Sequence, residues 1–521
     1  MKTKIYILIT LFALFAITAC DKDFEEMNKD PFNPTETSLP PVFNSMTATL
    51  VKGWHEQTAF EYELSAFACQ ITNIYGTSGY LPAETAGELW TGYYKFRSDA
   101  ALYDKLIEEY DKDLNLANLI AQKDVINAYK TFKLIDIFGD IPYYDAAKAT
   151  EGPDYFYPKY DDAKTIYMDM IGLLKSADAS LVETPGDDYA KLGSYDVLFK
   201  DDILMWRKFA NSIRLRQALR AYDADNSLSG EVADILDNNL PLIEDGEVVE
   251  MDPVTLDLDL RGRIWAYGNG KVRFGRTMFD AMADDTTEAG IFDPRLRLFS
   301  EVNSDGVWNP MPYGVSVEEK TGNPNAENRW QDDANAGEYT YSPINYWMLT
   351  GRYSVPELVM SATEVHFLKA EAYAKGVGVA VNMAKAQEEY EAGIRSSIDY
   401  WFGVAEFSRD FGDNYSWRDV PARPTDAEID AMLANPKVAW NDANALGLIY
   451  NQHWLSHIRQ PLQAWSLYRQ TKMTPQSGGL EFVFNRLTYP SSELDNNADN
   501  YADQVSKMGA DDFIVKVWWA K

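Results

Sequence analysis

Helical periodicity runs through most of this chain, and it comes in pairs. Apolar residues recur at helical spacing over 40–72, 93–118, 121–138, 161–180, 199–222, 356–375, 379–402, 424–433 and 441–470. Many of these segments are consecutive, with short breaks between them. Alanines such as Ala370, Ala372 and Ala374 suit places where two helices approach closely. Helix pairs of this length suggest a stack of tetratricopeptide-like repeats. The expected fold class is therefore mostly α, built from tetratricopeptide-like helix pairs. The stretch 240–355 departs from this pattern. Gly, Pro, Asn and Asp punctuate it, and it holds short β-prone pieces at Glu247–Met251 and Lys271–Phe274. It reads as a loop-rich insert with a few strands, where a rigid helical scaffold would carry its binding residues.

The N-terminus carries a different kind of signal. Lys2 and Lys4 precede an apolar run from Ile5 to Ile17, then Thr18, Ala19 and Cys20. This is a charged n-region, an apolar h-region and a small-residue cleavage site, too short for a permanent membrane span. Cys20 is one of only two cysteines, so there is no disulfide framework. Its position resembles a bacterial lipobox, in which the cysteine becomes the lipidated first residue of the mature protein. The acidic, Pro- and Asn-terminated run after it reads as a tether. It also resembles the export tag that sends lipoproteins of the Bacteroidetes to the outer face of the outer membrane. The expected organisation is a signal peptide at 1–19, a lipidated acidic tether at 20–36, and a single helical domain at 37–521. Cys69, in the run Leu64–Cys69, reads as a buried inert thiol on a helical apolar face.

Charge and motifs exclude several function classes. Eighty acidic residues against 48 basic ones give a formal charge of −32. A surface this acidic repels phosphate backbones, so no nucleic-acid partner is expected, and lipid rather than charge would hold the chain to a membrane. No P-loop and no G-x-S-x-G occurs, and Tyr267–Lys271 lacks the later glycine and the βαβ setting of a dinucleotide loop, so it reads as a turn. His453 and His457 are four apart, as zinc ligands on a helix can be, but Trp454 follows the first and no third ligand lies nearby in sequence. No metal site is expected there. Asp495–Asn500 offers oxygens for calcium but lacks the glycine and terminal glutamate of an EF-hand, so it reads as a solvated turn. No cofactor and no catalytic residue is assigned. A surface glycosidase or peptidase remains the alternative, because carboxylates this abundant always permit an imagined pair.

Six stretches resemble one family in order along the chain. They are Phe132–Tyr143, Pro158–Asp161, Trp206–Arg216 continuing to Arg220, and Met360–Ala372. The fifth combines Gln452–Trp454, Gln463–Trp465 and Arg469–Thr471, and the last combines Arg486–Pro490, Glu493 and Asn496 with Trp518–Trp519. The chain resembles the SusD/RagB-like nutrient-binding outer-membrane lipoproteins. It departs from them at Gln470, where many members have arginine, and at His453, where lysine is common. The resemblance implies four helix pairs supporting an irregular ligand-binding face. It also implies a surface protein that captures a glycan or other small nutrient for a SusC-like TonB-dependent transporter. Arg214, Arg216 and Arg220, with Glu364 and Glu371 on another helix, read as a structural charge network.

Aromatic residues make up 13% of the chain, including 14 Trp and 32 Tyr. Sugar rings present apolar C–H faces to such rings, with polar side chains at the rim. One candidate segment holds Asn73, Tyr75, Tyr80 and Trp90, followed by Tyr93 and Tyr94. The insert offers Trp265, Tyr267, Trp308, Tyr313, Trp330, Tyr346 and Trp347, with Asn269 and Arg273 as polar candidates. Trp90 and Tyr94 also lie at helical spacing, which would make them core. Trp330, between Arg329 and Gln331, is the aromatic most expected to be exposed.

Overall fold

The computed structural model describes residues 37–53, 56, 67–70, 82–110, 113–252, 272–303, 305–312, 340–342, 344–345, 355–411, 420–475 and 484–521. Among them the chain is mostly helical, with four short strands. The N-terminal helices are α1 (Leu39–Ala48), α2 (Pro82–Glu109), α3 (Ala117–Phe138), α4 (Ala163–Ser180), α5 (Ile203–Ala221) and α6 (Ser229–Asp237). Short α7 (Arg276–Met282) and α8 (Leu296–Phe299) follow. The C-terminal helices are α9 (Ala362–Lys375), α10 (Met383–Phe411), α11 (Asp426–Leu433), α12 (Ala445–Ser456), α13 (Pro461–Thr471), α14 (Ser491–Asn496) and α15 (Ala498–Met508). Successive helices pack as α2 on α3, α4 on α5, α9 on α10 and α12 on α13, and α5 touches both α9 and α13. α3 packs closely on α4 as well, so consecutive helices lie side by side, as expected of a stack of helix pairs.

Local chemistry sets the helix ends. Asp162 and Asp202 cap α4 and α5 by accepting from the amides of Thr165 and Met205. Thr425 and Glu428 form a reciprocal capping box on α11. Gly139 ends α3 at φ 80°, a conformation that favours glycine, and Pro142 lies just beyond. Several boundaries differ from the sequence reading. Helix α2 begins at Pro82, well before 93. The segment 441–470 divides into α12 and α13, because Arg459 adopts φ 72° and Pro461 starts a new helix. Residues 357–361 form β4 (Glu357–Ser361) rather than the first turn of a helix, and all five are buried.

The strands pair in twos. β1 (Ala68–Gln70) runs antiparallel to β3 (Val272–Phe274), and β2 (Val248–Met251) runs antiparallel to β4 with a bulge between Val249 and Glu250. Cys69 therefore lies in a strand opposite Arg273, not on the helix expected for it.

The motif stretches prove to be the joints of the stack. Asp136 of α3 accepts from Trp519 Nε1 at 2.8 Å and pairs with Arg220 of α5, whose other amine reaches Gln463 of α13 at 2.6 Å. Arg469 of α13 stacks on Trp465 and Trp519 and donates to the Asp136 and Asn485 carbonyls. Asp140 accepts from the Ala163 amide and Gln504, while Asp161 accepts from the amides of Tyr143 and Tyr144. The arginine network differs in its partners from the one expected. Only Arg216 meets Glu364; Arg214 binds Glu231 and Asp234 on α6. Glu371 instead accepts from Tyr450 and Gln470 and pairs with Lys375.

Candidate functional site

The expected aromatic platform divides between what the structure describes and what it does not. Cys20, Asn73, Tyr75, Tyr80, Trp265, Tyr267, Asn269, Tyr313, Trp330, Tyr346 and Trp347 lie outside the described residues. Trp90 lies within them and is 4% exposed. Its ring packs against Tyr94, Phe138, Tyr160 and Tyr489. Its Nε1 donates to Glu493 at 3.1 Å, and Tyr160 donates to the other oxygen of the same carboxylate at 2.7 Å. Trp90 thus has a packing role, joining α2 to α14, in place of the exposed stacking role expected of it. The 90/94 helical spacing carried that outcome. Tyr94 donates to the Pro142 carbonyl, and Tyr93 is buried. Arg273 is 1% exposed in β3, buried rather than at a ligand rim. Trp308 is buried too, donating to Glu288 at 3.0 Å. Asn497 and Asn500 donate to the carbonyls of Pro158 and Tyr157, so the Asp495–Asn500 run bridges two segments rather than forming a free turn.

A cleft of about 610 Å³ opens between the β2–β4 pair and α10. Strand alternation buries Val249 and Met251 on one side of β2 and turns Val248 and Glu250 toward the cleft. Helix α10 supplies the facing wall through Ser396, Asp399, Tyr400, Gly403, Val404 and Phe407, at helical spacing. Phe407 is half exposed. The N-terminal turn of α9 closes the floor with Ala362 and Thr363.

Five carboxylates line this cleft: Asp245, Glu247, Glu250, Asp252 and Asp399. Three have cationic or imidazole neighbours. Lys208 holds Glu247, Arg423 holds Asp399, and His366 approaches Asp245. Glu250 instead accepts from Tyr400 at 3.1 Å. Burial pushes its carboxyl up to about 7, the Tyr400 hydrogen bond opposes this, and Asp252 adds to it. Burial beside that carboxylate in turn lifts the Tyr400 phenol well above its ordinary range. Near neutrality Glu250 therefore exists in both forms, able to accept from or donate to a ligand hydroxyl. Sequence reasoning missed this site. β2 was visible, but β4 and the meeting with α10 were not, and Glu250 is one of 80 acidic residues.

A family model described as "Starch-binding associating with outer membrane" matches residues 31–490. The chain belongs to the SusD/RagB-like family. Solved structures agree over nearly the whole chain. A chitin-binding protein matches with TM-score 0.71 at 22% identity, covering 92% of this chain and 99% of that one. A chitin-binding SusD homolog from Flavobacterium johnsoniae gives 0.66 at 22% identity, covering 92% and 97%. A SusD homolog from Bacteroides fragilis gives 0.73 at 16% identity, covering 93% and 100%. At these identities the likeness is one of fold. A comparison with curated proteins finds no match.

Proposed function

We propose that this SusD-like chain is a lipid-anchored cell-surface protein that captures an oligosaccharide and delivers it to a SusC-like TonB-dependent outer-membrane transporter. The observation that carries the reading is the family match over 31–490, with its description of starch binding and association with the outer membrane. Two similar structures are of proteins named for chitin binding. Cys20, following a signal-like segment, supplies the anchor in this reading. Stacking is assigned to Tyr75, Tyr80, Trp265, Trp330, Tyr346 and Trp347, with Asn73 as a polar partner. Trp90 and Arg273 support the scaffold from within.

The test has two arms. Calorimetric titration of the protein with starch- and chitin-derived oligosaccharides is expected to show saturable binding without product formation. Gentle detergent extraction of the native membrane is expected to co-purify a large β-barrel. Turnover of a bound glycan overturns the binder reading. Absence of glycan binding overturns the ligand class, and a protein that always purifies alone overturns the delivery step.

A further inference from the structure

We propose that Glu364, His453 and His457 form a buried binding site for one zinc-class transition-metal ion, clamping α9 to α12. The two histidines were visible in sequence as an i, i+4 pair without a third ligand. The fold supplies it, because Glu364 projects from the first turn of α9. One ligand-capable atom from each residue lies within 4.8 Å of the other two, and all three residues are buried. Neighbouring ligands around a tetrahedral zinc lie roughly 3.4 Å apart, given bonds of about 2.0–2.2 Å.

The second observation is His453 itself. It is 3% exposed, and neither ring nitrogen has a hydrogen-bond partner among the described residues. Buried polar atoms are ordinarily satisfied, and this imidazole lies beside a second imidazole and a carboxylate, both of them metal-ligand types. His457 is oriented for the same task. Its Nδ1 lies 3.1 Å from Gln460 Oε1, and Gln460 is held by donating its own amide to the Val359 carbonyl at 2.7 Å. The amide oxygen therefore faces the ring, Nδ1 carries the hydrogen, and Nε2 keeps its lone pair. Such an outer hydrogen bond is what fixes the tautomer of metal-ligating histidines.

Arg216 and Arg220 are the opposing charges. Arg220 is paired with Asp136, and Arg216 approaches Glu364 at 3.3 and 3.5 Å, longer than the roughly 2.7–2.9 Å of a strong charge-assisted pair. A carboxylate has about four lone-pair sites, so it can keep this contact and ligate as well. Three protein ligands leave a fourth tetrahedral position for water.

The test is metal content. Mature protein from zinc-supplemented cells, dialysed against metal-free buffer, is expected to retain about one zinc per chain by plasma mass spectrometry. His453→Gln and Glu364→Gln are each expected to retain at least tenfold less. Growth on cobalt should give the visible bands of a tetrahedral site in the wild type alone. Wild-type protein without stoichiometric metal, or both variants retaining it undiminished, overturns the proposal. If neither variant folds, the wild-type metal content and cobalt spectrum decide.

Discussion

Asp136 and Glu250 are both carboxylates enclosed by secondary structure, yet they sit in opposite surroundings. Asp136, inside the helix stack, meets the Arg220 guanidinium and the Trp519 indole, and its carbonyl accepts from Arg469. Glu250, in the cleft, meets one phenol and has another carboxylate nearby. At Asp136, hydrogen-bonding capacity is spent on joining α3, α5, α13 and the C-terminus. At Glu250 it is left over. That contrast separates residues that hold the scaffold from residues that can meet a ligand, although both kinds look alike in sequence.

The strongest way to break the comparison is at the scaffold end. Asp136→Ala leaves the Arg220 guanidinium buried without its carboxylate and removes the acceptor of the Trp519 indole. Losing one partner of a buried ion pair costs about 3–5 kcal/mol. Chemical denaturation is expected to show a loss of this size. A loss below about 1 kcal/mol would mean that Asp136 is not the joint described here.

Glu250 sharpens the other end, with the sign reversed. Its folded carboxyl is lifted from 4.5 to about 7, so the folded protein holds this proton more tightly than the unfolded chain does. Glu250 therefore withdraws stability as pH rises from about 4.5 through 7 and imposes its full penalty above that window. Glu250→Gln is expected to stabilise the protein at about pH 8 by on the order of 2–3 kcal/mol. The gain should vanish near pH 4.5. A gain independent of pH, or a loss at pH 8, would show that burial does not dominate at this carboxylate.

The same contrast explains what could be read from sequence. Helices over 121–138, 161–180 and 424–433 were legible because their amphipathic pattern is long or firmly capped. β4 was not, because a continuously buried strand has no alternation to distinguish it from a helical turn. α6 and α15 were missed because they are short, nine and eleven residues, and lie in or beside stretches whose turn-forming residues read as loop. The motif arginines were visible as a set, but their partners were not. Arg214 and Arg220 chose carboxylates on α6 and α3, a matter of helix rotation rather than spacing. Aromatic content announced ring chemistry without saying which rings face solvent. Trp90 became core while Phe407, on a helix, stayed half exposed.

Phe407 supplies the finest test. Its ring is 50% exposed on the cleft wall, so Phe407→Ala forfeits little burial and is expected to cost under about 1 kcal/mol of stability. Its effect on ligand affinity is the informative quantity. A ring that stacks on a sugar should contribute about 1–3 kcal/mol, by analogy with base–aromatic stacking, or roughly ten- to hundred-fold in affinity. With the loop aromatics assigned as the platform, Trp330→Ala and Trp347→Ala are expected to lose affinity by that factor, while Phe407→Ala binds like wild type. Calorimetric titration of the three variants with one oligosaccharide compares the two faces directly. The reverse pattern would move the ligand from the loops to the cleft beside Glu250, and in that case affinity should also follow the protonation of its carboxyl near neutrality.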